Sequence, residues 1–507
     1  MKKLYTTTAL VLALGFALSG CGGSENVTNE DNETPTIKMF ANFNPADPGA
    51  SDKAFIADIE EATGVKLEFD IPPSTSYSER QQLMLAGGDY PDAILFLDTN
   101  DKGYLNAVDQ GIVIPVNDYL TEELAPNILK YSYDISWDAL KTKNDDNIYG
   151  IPRSSMVRND GFMIREDWLE RLGIPMPEDH AVTVEEFAEI CRRFSEEDPD
   201  GNGKKDTYGV VCYTNTDKTM EPLFPSAFGC LGWQEDPHNP GSYIDPQYDK
   251  SSESYKEALS YTADLFTKKY IDPNSPSNTS TDAVDKFIKG TESGIISGFS
   301  GHLYNYERDL KKNIPDAKLN YIYIKNKDGE VKGGSYSTGF WGHWCITSSC
   351  KNPEAVVKVL DYILSDEGWN RMLYGKEGID YTMEGDKRKP IEDCGNSWSS
   401  FFMRRAGDFD FFVNTVNMDD SVKERLRPIV QIGVDTNVFS LDNGFIPEVS
   451  TSVSFINYQT TMNETITKIV TGNIPVSSYD SALDGWYTNG GEQYVEEMNT
   501  HIKKMNE

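Results

Sequence analysis

The chain reads as an α/β protein with more than one domain. Its 507 residues exceed what a single small core organises. From residue 36 onward, short apolar runs alternate with amphipathic helical stretches. Glycine stands where helices should stop, as at Gly64, Gly173 and Gly472. Alternation of strand and helix predicts parallel sheets covered by helices.

Thr36 to Phe40 is the first expected strand, followed by the loop Ala41-Asn42-Phe43-Asn44 and a helix over 52–63 that Gly64 ends. Val65 to Phe69 makes a second strand and Ser78 to Ala86 a second helix, which Gly87-Gly88-Asp89-Tyr90-Pro91 breaks. Asp92 to Leu97 is apolar throughout, as a strand buried on both faces must be. Further on, a helix spans Arg165 to Gly173. Thr183 with Glu186 forms a capping box for the helix over 184–195. Helices over 254–269, 454–471 and 491–504 and a strand over 294–297 complete the pattern.

Against 47 basic residues stand 81 acidic ones, a net charge of -34. Such a surface repels nucleic acid and anionic headgroups, and it favours a neutral ligand over an acidic one. Six cysteines beyond Cys21 match no disulfide framework or zinc pattern, so mostly buried free thiols are expected. The five histidines offer no metal-ligand spacing.

The N-terminus carries Lys2-Lys3, an apolar run from Ala9 to Ala17, then Leu18-Ser19-Gly20-Cys21. The run is too short to span a bilayer. Its end resembles the lipobox of bacterial lipoproteins, which implies a signal peptide over 1–20 and a diacylglycerol anchor on Cys21. Residues 21–35 are polar and acidic, a disordered tether in expectation.

A further resemblance is carried by Gln82-Leu83-Met84-Leu85-Ala86-Gly87-Gly88-Asp89-Tyr90-Pro91-Asp92, Gly111-Ile112-Val113-Ile114-Pro115-Val116 and Ile148-Tyr149-Gly150-Ile151-Pro152. It continues in order through Arg165-Glu166-Asp167-Trp168-Leu169, Cys350-Lys351-Asn352-Pro353-Glu354-Ala355, Asp361-Tyr362-Ile363-Leu364-Ser365 and Tyr374-Gly375-Lys376-Glu377-Gly378. The chain resembles extracellular solute-binding proteins of carbohydrate ABC importers, the alginate-oligosaccharide-binding-like branch among them. That resemblance implies a two-lobe, type II periplasmic-binding-protein-like fold with a multi-segment hinge. One lobe would comprise 36–150 plus about 341–390, the other about 151–340 plus 391–507, with crossings near 148–152, 340–346 and 381–397. It further implies a monomer, anchored by lipid at the outer face of the membrane. Such a monomer closes on an oligosaccharide, delivers it to permease subunits and performs no catalysis.

Asp198-Pro199-Asp200-Gly201-Asn202-Gly203-Lys204-Lys205-Asp206 spaces oxygens as an EF-hand loop does. Asp198, Asp200, Asn202 and Asp206 would supply side chains and Lys204 its backbone carbonyl. Gly209 stands where the bidentate Glu belongs. A structural Ca2+ of weak extracellular affinity is expected, and alginate-type members of the resembling family carry calcium in this region.

Open sheets bind ligands at the carboxyl ends of their strands. That rule selects Phe43, Asn44, Tyr77 and Asp98 in the first lobe, Arg153 at the crossing, and Trp233, Phe299 and Tyr304 in the second. Aromatic clusters add Trp341 and Trp344, then Trp398 with Arg404. Flat rings suit the C–H faces of sugars, and Asp, Asn or Arg suit vicinal hydroxyls. A core role for any one Trp is the competing reading, and Trp168 and Trp369, on amphipathic helices, are taken as core. A peptide-binding importer subunit and a surface sensor or adhesin are the alternatives. A glycosidase is disfavoured by the ordered resemblance to binding proteins.

Overall fold

Strand direction organises the molecule. In chain order the strands are β1 Thr36–Phe40, β2 Lys66–Asp70, β3 Ala93–Phe96, β4 Ile151–Ser154, β5 Gly161–Arg165, β6 Ala181–Thr183 and β7 Tyr208–Val211. They continue with β8 Gln234–Glu235, β9 Tyr243–Ile244, β10 Ser293–Gly298, β11 Leu319–Lys325 and β12 Phe340–Ile346. One sheet has the order β2-β1-β3-β12-β4 and the other β6-β11-β5-β10-β7. β1 is parallel to β2 and β3, β10 to β7, and β11 to β6. β12 is antiparallel to both its neighbours, as is β5.

The two antiparallel strands have a common cause. Each is the first strand after the chain passes from one sheet to the other: β5 follows β4, and β12 follows β11. A strand entering from the opposite lobe begins at the cleft and runs away from it, against strands that end there. The sheets are therefore mixed, where the sequence predicted parallel ones.

This computed structural model describes residues 34–505 except 45, 100, 143–145, 216, 335–337, 392–393, 396–397, 410, 412–419 and 443. The expected signal peptide, Cys21 and all but the end of the tether lie outside them. Pro35–Glu507 is one compact unit. Among the described residues no helix is long and apolar enough to cross a membrane.

The crossings fall later or earlier than expected. β4 belongs to the first sheet, so the first crossing is 155–160 rather than 148–152. β12 is a strand of that same sheet, so the second passage precedes Phe340. The third correction is larger: Trp398, Phe402 and Met403 lie in the first core, and Phe411 packs on Trp369 there. Leu426, Ile429 and Val430 lie in the second lobe's core and Phe409 already packs on it, so the chain leaves the first lobe after Met403 and is held by both cores over 409–411, rather than crossing at 381–397. Trp398 and Phe402 hold the segment 398–403 to the first lobe, a tertiary choice that local pattern does not encode.

The first core is aromatic at its centre. Phe43 meets Trp398 at 5.3 Å and Phe402 at 5.1 Å, and Trp344 meets Phe43 edge-on at 6.3 Å. Trp344 Nε1 donates to the Phe402 carbonyl at 2.9 Å, which satisfies its one polar group. The helix Pro353–Leu364 covers this core with Val356, Val357, Leu360 and Ile363. In the second lobe Phe162, Ile164 and Ile295 of the sheet meet Phe187 and Phe194 of the helix Val184–Glu196. That helix opens on the predicted capping box: Thr183 Oγ1 accepts from the Glu186 N–H and Glu186 Oε2 from that of Thr183. The C-terminal helices Val453–Val470 and Ser478–Trp486 add Phe455, Ile466 and Trp486 to the same core.

Five of the expected thiols, Cys191, Cys212, Cys230, Cys345 and Cys350, are free, and burial pushes those of Cys212, Cys230 and Cys350 up to about 12. Trp344→Ala would leave a cavity beside Phe43 and orphan the Phe402 carbonyl. A loss of about 3–5 kcal/mol is expected in urea unfolding.

Candidate ligand-binding cleft

A β-bulge builds the first wall. β12 pairs Phe340 with Ser154 and His343 with Pro152, so Trp341 and Gly342 together oppose Arg153. Gly342 sits at φ +79°, and a Cβ there would press on the Phe96 carbonyl at 2.9 Å. The extra residue changes which side chains face the cleft. Trp341 is half-buried at the mouth of the cleft, while Trp344 is fully buried in the core. The Arg153 guanidinium lies 4.2 Å from the Trp341 ring centroid and 5.7 Å from that of Phe401.

In front of this wall is a cleft of about 730 Å3, the size of an oligomeric small ligand's site. From the first lobe it receives Leu97, Asp98 and Thr99, just past β3, together with Lys102, Phe340 and Trp341. The second lobe contributes Asn215 beyond β7, then Glu221, Tyr248, Asp442, Gln459, Asn463 and Tyr494.

The second wall rests on Trp486, itself fully buried. Tyr248 stacks on it at 4.5 Å, and Tyr494 stands edge-on to it at 5.5 Å. Phe455 stacks in turn on Tyr494 at 5.3 Å. Trp486 Nε1 donates to Gln459 Oε1 at 2.9 Å, and Gln459 Nε2 donates to Asn463 Oδ1 at 3.0 Å, so the amide is fixed in orientation. Glu221 accepts from Tyr255 Oη and from Asn215 Nδ2, both at 3.1 Å. Burial raises its carboxyl above the usual range, and the charge on Asp217 pushes the same way. A wall of rings interleaved with fixed acceptors and amides suits hydroxyl-rich ligands.

Of the residues selected from sequence, Asp98 and Trp341 line this cleft, and Arg153 stacks against it. Five others are corrected to core positions. Phe43, Trp344 and Trp398 fill the first lobe's aromatic centre. Tyr77 stacks on Phe40 and donates its hydroxyl to the Leu95 carbonyl. Trp233 packs against Met498 and Ile502. Each of these rings buries more apolar area in a core than a wet cleft could cover. Asn44 is exposed away from the cleft lining. Phe299 lies beneath the Arg158 guanidinium at 3.8 Å, Tyr304 packs on the second lobe's other helical layer, and Arg404 Nε donates to the Ser400 carbonyl. Of the residues missed, Lys102 opens the helix Lys102–Asp109 that follows β3, while Glu221, Tyr248, Gln459 and Tyr494 lie on loops and C-terminal helices that the strand-end rule does not reach. A signal was present in the Tyr248, Phe455, Trp486 and Tyr494 rings, but only folding brings them together.

At the expected cation loop, Asn202 Nδ2 donates to Asp200 Oδ2 at 2.8 Å and Asp206 Oδ1 at 3.1 Å, and the Asn202 and Gly203 N–H groups reach Asp198. Burial raises the Asp200 carboxyl, and the neighbouring Asp198 and Asp206 push it further. Like charges crowded in this way fit a divalent cation. Among the described residues, however, no three acidic, His or Cys side chains already converge on one point. Gly209 is explained by packing: a Cβ there would lie 2.5 Å from the Cys191 Cα, so no Glu can close the loop.

Two sheets whose shared cleft gathers rings and hydrogen-bonding groups have the architecture of a binding protein. The chain belongs to the bacterial extracellular solute-binding protein family, whose model matches residues 42–368. It is 26% identical over 98% of its length to the polygalacturonan/rhamnogalacturonan-binding protein YtcQ of Bacillus subtilis, covering 97% of that protein. To the lipoprotein LipO of the same organism it is 24% identical, with 97% of each chain covered. Among solved structures, the alginate-binding protein AlgQ2 without calcium ion superposes with a TM-score of 0.66 at 18% identity, covering 93% of this chain and 98% of that one. The Streptococcus pneumoniae substrate-binding protein FusA in complex with kestose gives 0.65 at 20%, covering 93% and 99%.

Behind the cleft, burial pushes the Asp245 carboxyl up to about 6, opposed by the Gln247 N–H and reinforced by Asp442. A raised carboxylate pKa stabilises the fold below about pH 4, and that contribution is lost as pH rises through about 6. Asp245→Asn should therefore stabilise the protein by about 1–3 kcal/mol near pH 7.5 and leave it unchanged near pH 4, read by urea unfolding at both.

Proposed function

We propose that this protein captures an oligosaccharide between its lobes at the outer face of the membrane and delivers it unchanged to an ABC permease. The observation that carries this is the cleft itself: Trp341 and Asp98 from one lobe face Tyr248, Gln459 and Tyr494 from the other. A ligand touching both walls favours the closed arrangement by differential contact, which is all the mechanism requires. The carbohydrate ligands named for YtcQ and FusA support this class of ligand.

The lobes are assigned as 36–154 with 340–408, and 161–325 with 420–505. Both walls come from one chain, so a monomer suffices. Cys21 is the proposed lipid attachment site, a reading supported by the lipobox-like Leu18-Ser19-Gly20-Cys21 and by the lipoprotein relative LipO. Ca2+ is the proposed occupant of the loop, held by Asp198, Asp200, Asn202 and Asp206 with the Lys204 carbonyl, and would neutralise their mutual repulsion. The solved calcium-free AlgQ2 and the EF-hand mutant of FusA support it.

A thermal-shift screen against oligosaccharides and peptides tests the function. An oligosaccharide at about 100 times its dissociation constant should add about 2.7 kcal/mol. Trp341→Ala should weaken that ligand about tenfold or more while costing about 1 kcal/mol or less in stability. Stabilisation by peptides alone would overturn the reading. For the cation, about 10 mM Ca2+ should add about 1.4–2.7 kcal/mol at a dissociation constant of about 10⁻⁴–10⁻³ M. Asp200→Asn with Asp206→Asn should abolish that gain.

A further inference from the structure

The charges lining the cleft are lopsided. Among the described residues its walls carry Asp98, Asp217, Glu221 and Asp442, against the single ammonium of Lys102. Of the other cations nearby, Lys218 is exposed in an adjoining pocket of about 560 Å3 that shares Asp217, Gln459 and Asn463 with the cleft, and Lys468 there pairs with Glu464 at 3.2 Å. Lys141, in the adjoining pocket of about 510 Å3, pairs with Asp138 at 2.9 Å. Arg158 pairs with Asp160 at 2.9 Å, behind a second pocket of about 560 Å3 that Asp442 also lines. Arg153 is fully buried, its guanidinium against the Trp341 and Phe401 rings.

A chain of uronic acids brings one carboxylate per ring. Seating it would place those charges against four acids in a site where low dielectric strengthens repulsion, with Lys102 the one cation among the described residues of the cleft walls to answer them. A neutral sugar meets the same carboxylates as strong acceptors for its hydroxyls. Charge is thus a means of rejection, which contact area alone does not supply. We infer that the cleft selects an uncharged oligosaccharide and excludes polyuronates. This deepens the oligosaccharide reading and rests on it. It also separates this chain from YtcQ and AlgQ2, whose names carry polyuronate ligands.

The net charge of the whole chain could not support this by itself, because a basic cleft can sit within an acidic protein. What matters is which charges the fold turns inward. Asp98 follows β3, Glu221 is oriented by Tyr255 and Asn215, and Asp442 comes from the second lobe, so both walls contribute to the repulsion.

The test is calorimetric titration of the whole protein with a panel of neutral fructo-, xylo-, gluco- and galacto-oligosaccharides and with oligogalacturonates. The best neutral ligand is then compared with its C6-carboxylated counterpart and with the methyl ester of that counterpart. The carboxylated form should bind at least tenfold more weakly than its methyl ester, which isolates charge from shape. Raising the salt from about 20 mM to about 0.5 M should narrow that gap in the unaltered protein. Glu221→Gln with Asp442→Asn should narrow it by at least threefold. Equal or tighter binding of the carboxylated form or of oligogalacturonate would overturn the charge inference while leaving oligosaccharide capture standing. A gap that neither salt nor the two substitutions reduce would overturn it as well. Failure of every oligosaccharide, neutral and acidic, would overturn the parent reading and this one with it.

Discussion

A chain that passes between two sheets more than once must begin some strands at the interface between them. That constraint sets the polarity of β5 and β12, and polarity in turn sets what the cleft is made of. Strands that end at the cleft deliver loops such as Leu97 to Thr99, whose length and composition are free to vary. Strands that begin there deliver fixed backbone, as Phe340 and Trp341 do. The binding wall is rigid where it must position a ring and variable where it must choose a ligand.

The tryptophans divide the work between support and contact. Trp344 and Trp486 are fully buried, and each donates its indole N–H, to the Phe402 carbonyl and to Gln459 Oε1 respectively. Trp486 does more than fill space, since its bond orients the Gln459 amide and its face carries Tyr248. Trp341 lies three residues from Trp344 and has the opposite role. Without the bulge the strand's period of two would place those two rings on opposite faces with different neighbours, and Gly342 makes the local departure possible.

Capping and helix termination were legible locally. Thr183 and Glu186, and the helix-ending Gly64 and Gly173 at positive φ, behave as their spacing predicts because each depends on neighbours within a few residues. The family was legible too, since motifs from Gln82 to Gly378 follow one another in order. The residues of the candidate cleft were legible only in part. Asp98 and Trp341 follow from strand ends and aromatic density, whereas Phe43, Tyr77 and Trp398 satisfy the same rules and are core. Type and position along a strand do not say which face a ring takes when a bulge or a neighbouring aromatic cluster decides it.

By itself, the sequence determined the α/β class, the helix caps, the acidic balance and the ordered motifs that mark an extracellular solute-binding protein. All of these depend on short-range geometry or on composition. Only the tertiary structure decided the antiparallel β5 and β12, the retention of Trp398 to Met403 in the first lobe, and the meeting of Asp98 and Trp341 with Tyr248, Gln459 and Tyr494. Residues hundreds of positions apart become neighbours only when two cores have formed and the crossings have fixed which strand ends face each other. Long-range contact is the one property that no local pattern along a chain can carry.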